Sequence, residues 1–138
     1  MADSTPYPWS LLMPASPATI TQTGLAWALS RLTGQEVAAS HLAIGTGSTA
    51  PAPTDTALAN EVARVALSNP GGTIVGDEIR FEAEFPPGTY VGTVSEVGLF
   101  NAATSGTLIA RALKGPYTMD DSASLVITLS VQLQGATA

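Results

Sequence analysis

The sequence predicts an α+β domain, mainly an antiparallel β-sheet or sandwich, with one N-terminal helix and an extended proline-rich arm. Apolar and polar residues alternate over several stretches of the second half, which is typical of half-buried strands. One segment near the N-terminus has a helical period instead, and four prolines precede it. At 138 residues the chain has the length of one domain. We therefore expect an arm over residues 1–18 and a single domain over residues 19–138.

The first 18 residues, MADSTPYPWSLLMPASPA, contain the prolines of the arm. Each proline removes a backbone donor and favours an extended residue before it, so this segment is predicted not to be helical. Its apolar side chains are expected either to pack on the domain that follows or to contact a neighbouring subunit, with Trp9 as the anchor. The candidate contact residues of the arm are Tyr7, Trp9, Leu11, Leu12 and Met13.

A helix is predicted over residues 19–33, capped by Thr19 or Thr21 and ended by Gly34. Its large aliphatic residues recur with a period near 3.6, which predicts one apolar face that packs on a sheet. The residues of that face are Ile20, Leu25, Leu29 and Leu32, and Trp27 and Ala28 widen it.

After the helix the period of the apolar residues becomes two, which indicates strands. The predicted strands cover residues 41–44, 61–67, 79–85, 90–100, 107–114 and 125–134. In the last of them, the residues from Leu125 to Leu133 that share one face are all aliphatic. The opposite face has no charged residue, which suits a contact with another subunit. The candidate contact residues there are Thr128, Ser130 and Gln132.

The charge pattern excludes several classes of function. A net charge of -6 with only 5 Lys and Arg argues against nucleic acid as a partner. No apolar run is long enough to span a membrane, and no signal sequence is recognisable, so we expect a soluble protein. The chain has no cysteine, which excludes disulfides, zinc–thiolate sites and thiol catalysis. Only 12% of the residues are charged, which favours a subunit packed against other subunits.

The sequence predicts no catalytic, cofactor-binding or metal-binding residue. The run Gly45-x-Gly47-x-x-Ala50 resembles a dinucleotide-binding turn, but Pro51 and Pro53 prevent the helix that such a turn requires. His41 is the only histidine, so we expect a hydrogen-bonded structural role. Glu82 and Glu84 lie two residues apart and face away from the apolar side of their strand. We therefore expect a protein that is not an enzyme and that needs no cofactor.

Four charged residues lie within otherwise apolar strands. Glu61 and Glu96 are in phase with aliphatic neighbours, and Arg64 and Arg111 lie on neighbouring predicted strands. Because an isolated buried charge is very unfavourable, we expect these carboxylates to pair with these arginines. The hypothesis is a structural ion-pair cluster that fixes strand register or a subunit contact.

Several short motifs occur in a fixed order along the chain. A helix with Thr-x-x-Gly (Thr21 to Gly24) is followed by an Ala-x-Gly-x-Gly turn (Ala43 to Gly47). The remaining motifs are Leu58-x-x-Glu61-x-x-Arg64, Glu96-x-Gly98-Leu99 and Gly106-Thr107-Leu108-x-Ala110. In this order the chain resembles the N-terminal tail-collar fibre domain family of contractile-phage tail fibres. The resemblance covers roughly residues 19–114.

The resemblance implies a structural virion protein of a phage-like tail, located in the baseplate and fibre region. Its partners would be other tail proteins, and it would form a homo-oligomer, most simply a trimer. We expect neither a long shaft nor a receptor-binding tip in this protein, which favours a short adaptor that attaches a tail fibre to the baseplate. The alternative is a small β-rich module that binds a receptor or glycan, with Tyr90 and Tyr117 as candidate platforms. An enzyme of the same particle, such as a wall-degrading hydrolase, is a second rival.

Overall fold

A computed structural model describes residues 18–32, 34 and 37–132 of the chain. Within these residues the chain forms one helix and eight strands. In chain order they are β1 (Thr19–Ile20), α1 (Gln22–Leu32), β2 (His41–Gly45), β3 (Glu61–Ala66), β4 (Thr73–Val75), β5 (Glu78–Phe85), β6 (Gly92–Phe100), β7 (Leu108–Met119) and β8 (Leu125–Gln132).

The strands form two antiparallel sheets. The large sheet has five strands in the order β1-β7-β6-β2-β3, and the small sheet has three in the order β4-β5-β8. Every strand pair is antiparallel. The protein therefore has the predicted α+β fold, which consists mainly of antiparallel sheet with a single short helix in the described residues.

The hydrophobic core lies between the two sheets. In β5 and β8 every second side chain points to the core, as the alternation in the sequence predicts. The small sheet contributes Phe81, Ala83, Phe85, Ile127, Leu129 and Val131, and the large sheet contributes Leu42, Ile44, Val97, Leu99, Ala110 and Ala112. The core therefore fixes which face of each sheet is left for polar side chains.

The helix α1 begins at a threonine cap and packs very closely on β7. The Oγ1 atom of Thr21 accepts a hydrogen bond from the Gly24 N–H at 2.8 Å and donates one to the Leu108 carbonyl at 2.6 Å. Of the two predicted caps, Thr21 is therefore the one used. At Gly24 an added Cβ would lie 2.8 Å from Cα of Ile109 and would overlap the Ile109 carbonyl group. The helix can approach the strand this closely only because residue 24 has no side chain.

The predicted apolar face of the helix is wrong at Leu25 and Leu29 but correct at Trp27. Leu25 and Leu29 are 53% and 60% exposed, and Ile20 belongs to β1, where it packs on the core. The face that meets β7 contains Gly24, with Trp27 half-buried against the core. Gly24 sets this contact because it allows the helix backbone to lie directly on the strand, and Leu25 and Leu29 consequently face outwards. The side chain of Leu32 lies outside the described residues.

Three element boundaries also differ from the prediction. Residues 19–20 form the short strand β1 rather than the first turn of the helix. The strand β4 was not predicted, because it has three residues and no recognisable alternation. The strand β7 continues to Met119, five residues beyond the predicted end at residue 114.

Candidate functional site

A charged cluster lies on the face of the large sheet that points away from the small sheet. Glu96 on β6 and Arg111 on β7 are its centre, and only 1% and 2% of their surfaces are exposed. The loop that joins β2 to β3, residues 46–60, covers them, and we call it the covering loop. Buried charges require close partners of opposite charge or hydrogen-bonding groups. Here Glu96 and Arg111 pair with each other, and the covering loop supplies the remaining partners.

The Glu96 carboxylate binds the covering loop through backbone N–H groups. Its Oε2 atom accepts hydrogen bonds from Gly47 and Asn60, both at 2.8 Å, and its Oε1 atom accepts one from Ala59 at 2.9 Å. Arg111 donates to Oε1 from Nε at 3.0 Å, and its Nη2 atom lies 2.8 Å from the same oxygen in an ion pair. Four hydrogen bonds and this ion pair therefore surround one carboxylate, which compensates for its removal from water.

Two glycines make room for this carboxylate. An added Cβ at Gly45 or at Gly47 would lie 2.5 Å from the Glu96 Oε2 atom. A Cβ atom does not come this close to a non-bonded oxygen, so any side chain at either position would displace Glu96. The Gly45-x-Gly47 motif is thus a cradle for a side chain of this protein rather than for a nucleotide phosphate.

Arg111 extends the cluster to the first half of the covering loop. Its Nη1 atom forms an ion pair with Asp55 at 3.0 Å, and its Nη2 atom donates to the Thr49 carbonyl at 2.8 Å. Asp55 in turn accepts the Ala52 N–H at 2.9 Å. Glu96 and Arg111 together hold both halves of the covering loop on the sheet.

A second ion pair, Glu61 with Arg64 on β3, lies near the Glu96–Arg111 pair. Arg64 donates from Nε and Nη2 to the two carboxylate oxygens of Glu61, each at 2.8 Å. Its guanidinium carbon lies 3.6 Å from the centroid of the Phe100 ring, a cation–π contact. The remaining nitrogen, Nη1, donates to the carbonyls of Ala102 and Ser105. This pair therefore fixes the loop between β6 and β7.

The four predicted ion-pair residues thus form two pairs, Glu61 with Arg64 and Glu96 with Arg111. Their geometry is that of a structural cluster, because each pair ties a loop to the large sheet. Whether either pair also forms a subunit contact stays a prediction.

We expect the cluster to make stability depend on pH. Burial alone would raise the pKa of Glu96, but the N–H groups of Asn60, Ala59 and Gly47, together with Arg111, outweigh it and hold the pKa below its ordinary value of 4.5. A lowered pKa in the folded state means that the stabilisation is full above pH 4.5 and is lost as the pH falls through the folded-state pKa.

The test compares wild type with Glu96→Gln in urea unfolding between pH 7 and about pH 3. The difference in the free energy of unfolding between the two should shrink as the pH falls. A difference that stays constant over this range would mean that the Glu96 charge does not contribute. Glu84→Gln, on the exposed face of β5, is the control and should show no such trend.

His41, Glu82 and Glu84, the other titratable residues considered in the sequence, lie outside this cluster. His41 Nδ1 is 2.7 Å from Ser40 Oγ, and burial, followed by the charge of Arg64, lowers the pKa of its ring. Glu82 and Glu84 are exposed on β5, a central strand rather than an edge. Among the described residues no group of three or more His, Asp or Glu side chains is placed to hold a metal ion.

The uncharged face of β8 lies next to charged residues of β5. In the register of the small sheet Thr128 is opposite Glu82, Ser130 is opposite Arg80 and Gln132 is opposite Glu78. Gln132 also donates to Asp77 at 2.7 Å. The face as a whole is therefore mixed in charge, although β8 itself contributes none of the charges.

The remaining candidates have two different outcomes. Tyr90 and Tyr117 are half-buried and pack against the core, so they do not form the exposed platforms expected for a glycan site. The contact residues predicted for the arm, Tyr7, Trp9, Leu11, Leu12 and Met13, lie outside the described residues. Their role stays a prediction.

Sequence reasoning missed Asp55 and the covering loop. Asp55 lies in an irregular proline-containing segment, where no periodicity marks a residue as buried or paired. The low number of charged residues could have indicated this contact. Because the chain has few carboxylates, an aspartate in a loop is a candidate partner for a buried arginine. Leu58, which packs on Gly98, was noted only as part of a motif.

The chain was compared with models of known protein families and with curated proteins, and neither comparison gave a match. In the described part of the chain, the helix is too short to cross a bilayer.

Proposed function

We propose that the protein is a structural part of a phage-like tail, an adaptor that attaches a tail fibre to the baseplate. It acts by assembly rather than by catalysis, as a homo-oligomer among other tail proteins. Three copies is the number that the resemblance to the tail-collar fibre domain implies. Its place is the baseplate and fibre region of the particle.

The observation that supports this proposal best is that the motifs behind the resemblance contact one another. Gly45 and Gly47 surround Glu96, and Leu58 packs on Gly98. Glu61 pairs with Arg64 beside them. Residues of different motifs, such as Gly45 and Glu96, therefore contact one another on the same face of the large sheet although they are 51 positions apart in the sequence. Short motifs that contact one another in the folded protein support a relation to the tail-collar fibre family better than the same motifs would if they were far apart.

The surface of the protein also suits protein partners. Leu25 and Leu29 expose most of their surface on α1, and Val37 nearby in the chain is 63% exposed. Leu25 and Leu29 are four residues apart and therefore neighbours on one face of α1. Exposed apolar side chains that lie together mark interaction surfaces. The arm residues and the outer face of β8 are the other contacts we propose.

The proposal is tested by locating the protein on particles. An epitope-tagged chain is produced in the organism that encodes it, tail particles are purified on a density gradient, and the tag is labelled with gold. We expect gold at the baseplate end of the particles. The tag on an unrelated protein of similar mass is the control. Intact tail particles that sediment without the tagged chain would contradict the proposal.

A variant tests the arm within the same experiment. Trp9→Ala should reduce the amount of chain incorporated into particles about tenfold or more, because buried tryptophans dominate many protein contacts. The thermal midpoint of the purified variant should stay unchanged. Val91→Ala, which shortens another exposed aliphatic residue, is the matched control and should be incorporated normally. Equal incorporation of both variants would exclude Trp9 as an anchor.

A further inference from the structure

Among the described residues the two sheets have four edge strands, and only β8 lacks the usual features that prevent pairing with another strand. Protein edge strands are commonly short, charged or interrupted by bulges, which prevents unwanted strand addition. Here β1 has two residues, β4 has three, and β3 carries the Glu61–Arg64 pair and a register shift. The strand β8 has eight residues, and its register with β5 is unbroken from Leu125 to Gln132.

In the described part of the chain, the edge of β8 that faces away from β5 has no strand paired with it. In an antiparallel pair, alternate residues direct their N–H and C=O groups away from the partner strand. No backbone hydrogen bond outside the β5–β8 ladder involves residues 125–132 in the described part of the chain. The strand contains no proline and no charged residue. It is therefore ready to accept another strand.

We propose that a second copy of this chain occupies this edge, with β8 antiparallel to β8 of the partner across a twofold axis at Leu129. Such a contact must be self-complementary, because the same strand supplies both sides. The sequence around Leu129 is nearly symmetric, with a hydroxyl residue on each side of it and then an aliphatic residue on each side. In this register Ile127 is opposite Val131 and Thr128 is opposite Ser130 of the other copy.

The inward side chains favour this register. Ile127, Leu129 and Val131 are 3%, 0% and 5% exposed and belong to the core between the sheets. Pairing them with their counterparts joins the two cores along the new sheet. A slip by one residue would place these side chains opposite the polar ones. A slip by two would keep apolar side chains opposite apolar ones, but only the register centred on Leu129 pairs all three of these residues with one another.

Charge does not oppose the contact, although each copy has a net charge of -6. The strand β8 brings no charge to the junction. The nearest row, on β5, includes Glu82 and Glu84 and is three strand spacings from its counterpart, about 14 Å. This distance exceeds the Debye length of about 8 Å at physiological ionic strength, so repulsion between the two rows is largely screened.

The inference goes beyond the proposed function, which fixes neither this contact nor its symmetry. A twofold contact gives an even number of copies. Two copies form a six-stranded sheet with the order β4-β5-β8-β8-β5-β4. If the chain is also a trimer, two trimers joined at their β8 edges give six.

The experiment uses the absence of cysteine from the chain. Thr128→Cys and Ser130→Cys are purified separately, mixed and oxidised. The proposed register places the two thiols directly opposite each other, within reach of a disulfide. A crosslinked band at about 28 kDa, twice the chain mass of 14.0 kDa, is expected from the mixture. The control mixes Thr93→Cys with Thr118→Cys, two exposed residues opposite each other within one chain, and should give no such band.

A charge-swap pair measures the same contact without crosslinking. With both Thr128→Lys and Ser130→Lys in one chain, lysines face lysines across the axis. With Thr128→Lys and Ser130→Glu, opposite charges face each other in the same register. The dissociation constant of the first variant should exceed that of the second about tenfold or more, with both variants folded by circular dichroism.

The native mass from light scattering decides the outcome. The proposal is supported if the native mass corresponds to two or six copies and if only the double-lysine variant reduces that mass by half. One or three copies overturn it, and a strand of a different protein would then be the occupant to seek. An even mass that the double-lysine variant leaves unchanged also overturns it. Loss of gold labelling with intact β8 pairing would contradict the tail function alone.

Discussion

Replacing Arg111 with methionine is expected to lower the free energy of unfolding by about 3–5 kcal/mol, because it leaves the buried Glu96 carboxylate without its charged partner. The backbone N–H groups that also bind Glu96 remain, but the covering loop loses the bonds from Arg111 to Asp55 and Thr49. Urea unfolding at pH 7, followed by circular dichroism, measures the effect.

Further variants show whether the loss comes from the pair. Glu96→Gln alone should also be strongly destabilising, because its amide would turn a donor towards backbone N–H groups. The double variant Arg111→Met with Glu96→Gln should lose less than the sum of the single losses, since neither charge is then left alone. Glu84→Gln should stay within about 0.5 kcal/mol of wild type. A loss below about 1 kcal/mol for Arg111→Met would mean that the pair is not important for stability.

Gly24→Ala should destabilise the protein by about 2 kcal/mol, although alanine is the better helix former by about 1 kcal/mol. The added methyl group would overlap the Ile109 carbonyl, which belongs to the backbone of β7 and cannot move aside as a flexible side chain could. The helix must therefore shift away from the sheet. The thermal midpoint and the urea midpoint should both fall.

A position on the same helix separates this packing effect from helix propensity. Gln22→Ala replaces an exposed residue in the first turn of α1 and should change the free energy of unfolding by at most about 0.5 kcal/mol. If Gly24→Ala stabilised the protein as helix propensity alone predicts, the close contact between α1 and β7 would be excluded.

The sequence predicts the sheets of this protein better than its helix packing. The alternation in β5 and β8 correctly marks the buried side chains, because the spacing of a strand assigns each residue to a face. The helix face was misassigned because periodicity detects large aliphatic residues such as Leu25 and Leu29. The contact is formed at Gly24, and a missing side chain leaves no hydrophobic signal.

Part of the charged cluster could be predicted, because strand alternation also marks a charged residue that points to a buried face. A glutamate within apolar alternation, such as Glu96, implies a partner, and few arginines were available. Asp55 and the three backbone donors could not be predicted, since they lie in an irregular loop whose path is set by contacts distant in sequence. The short strands β1 and β4 were missed because two or three residues cannot display a period.

The manner in which Glu96 holds the covering loop affects how freely evolution can change that loop. The carboxylate binds the N–H groups of Gly47, Ala59 and Asn60, and every amino acid except proline supplies such a group. Most side chains between these anchor points can therefore diverge without loss of the fold, while Glu96, Arg111 and the loop residues Gly47, Asp55 and Leu58 are constrained by their contacts. Homologous chains should thus be recognisable by the spacing of a few fixed residues around loops of unrelated sequence.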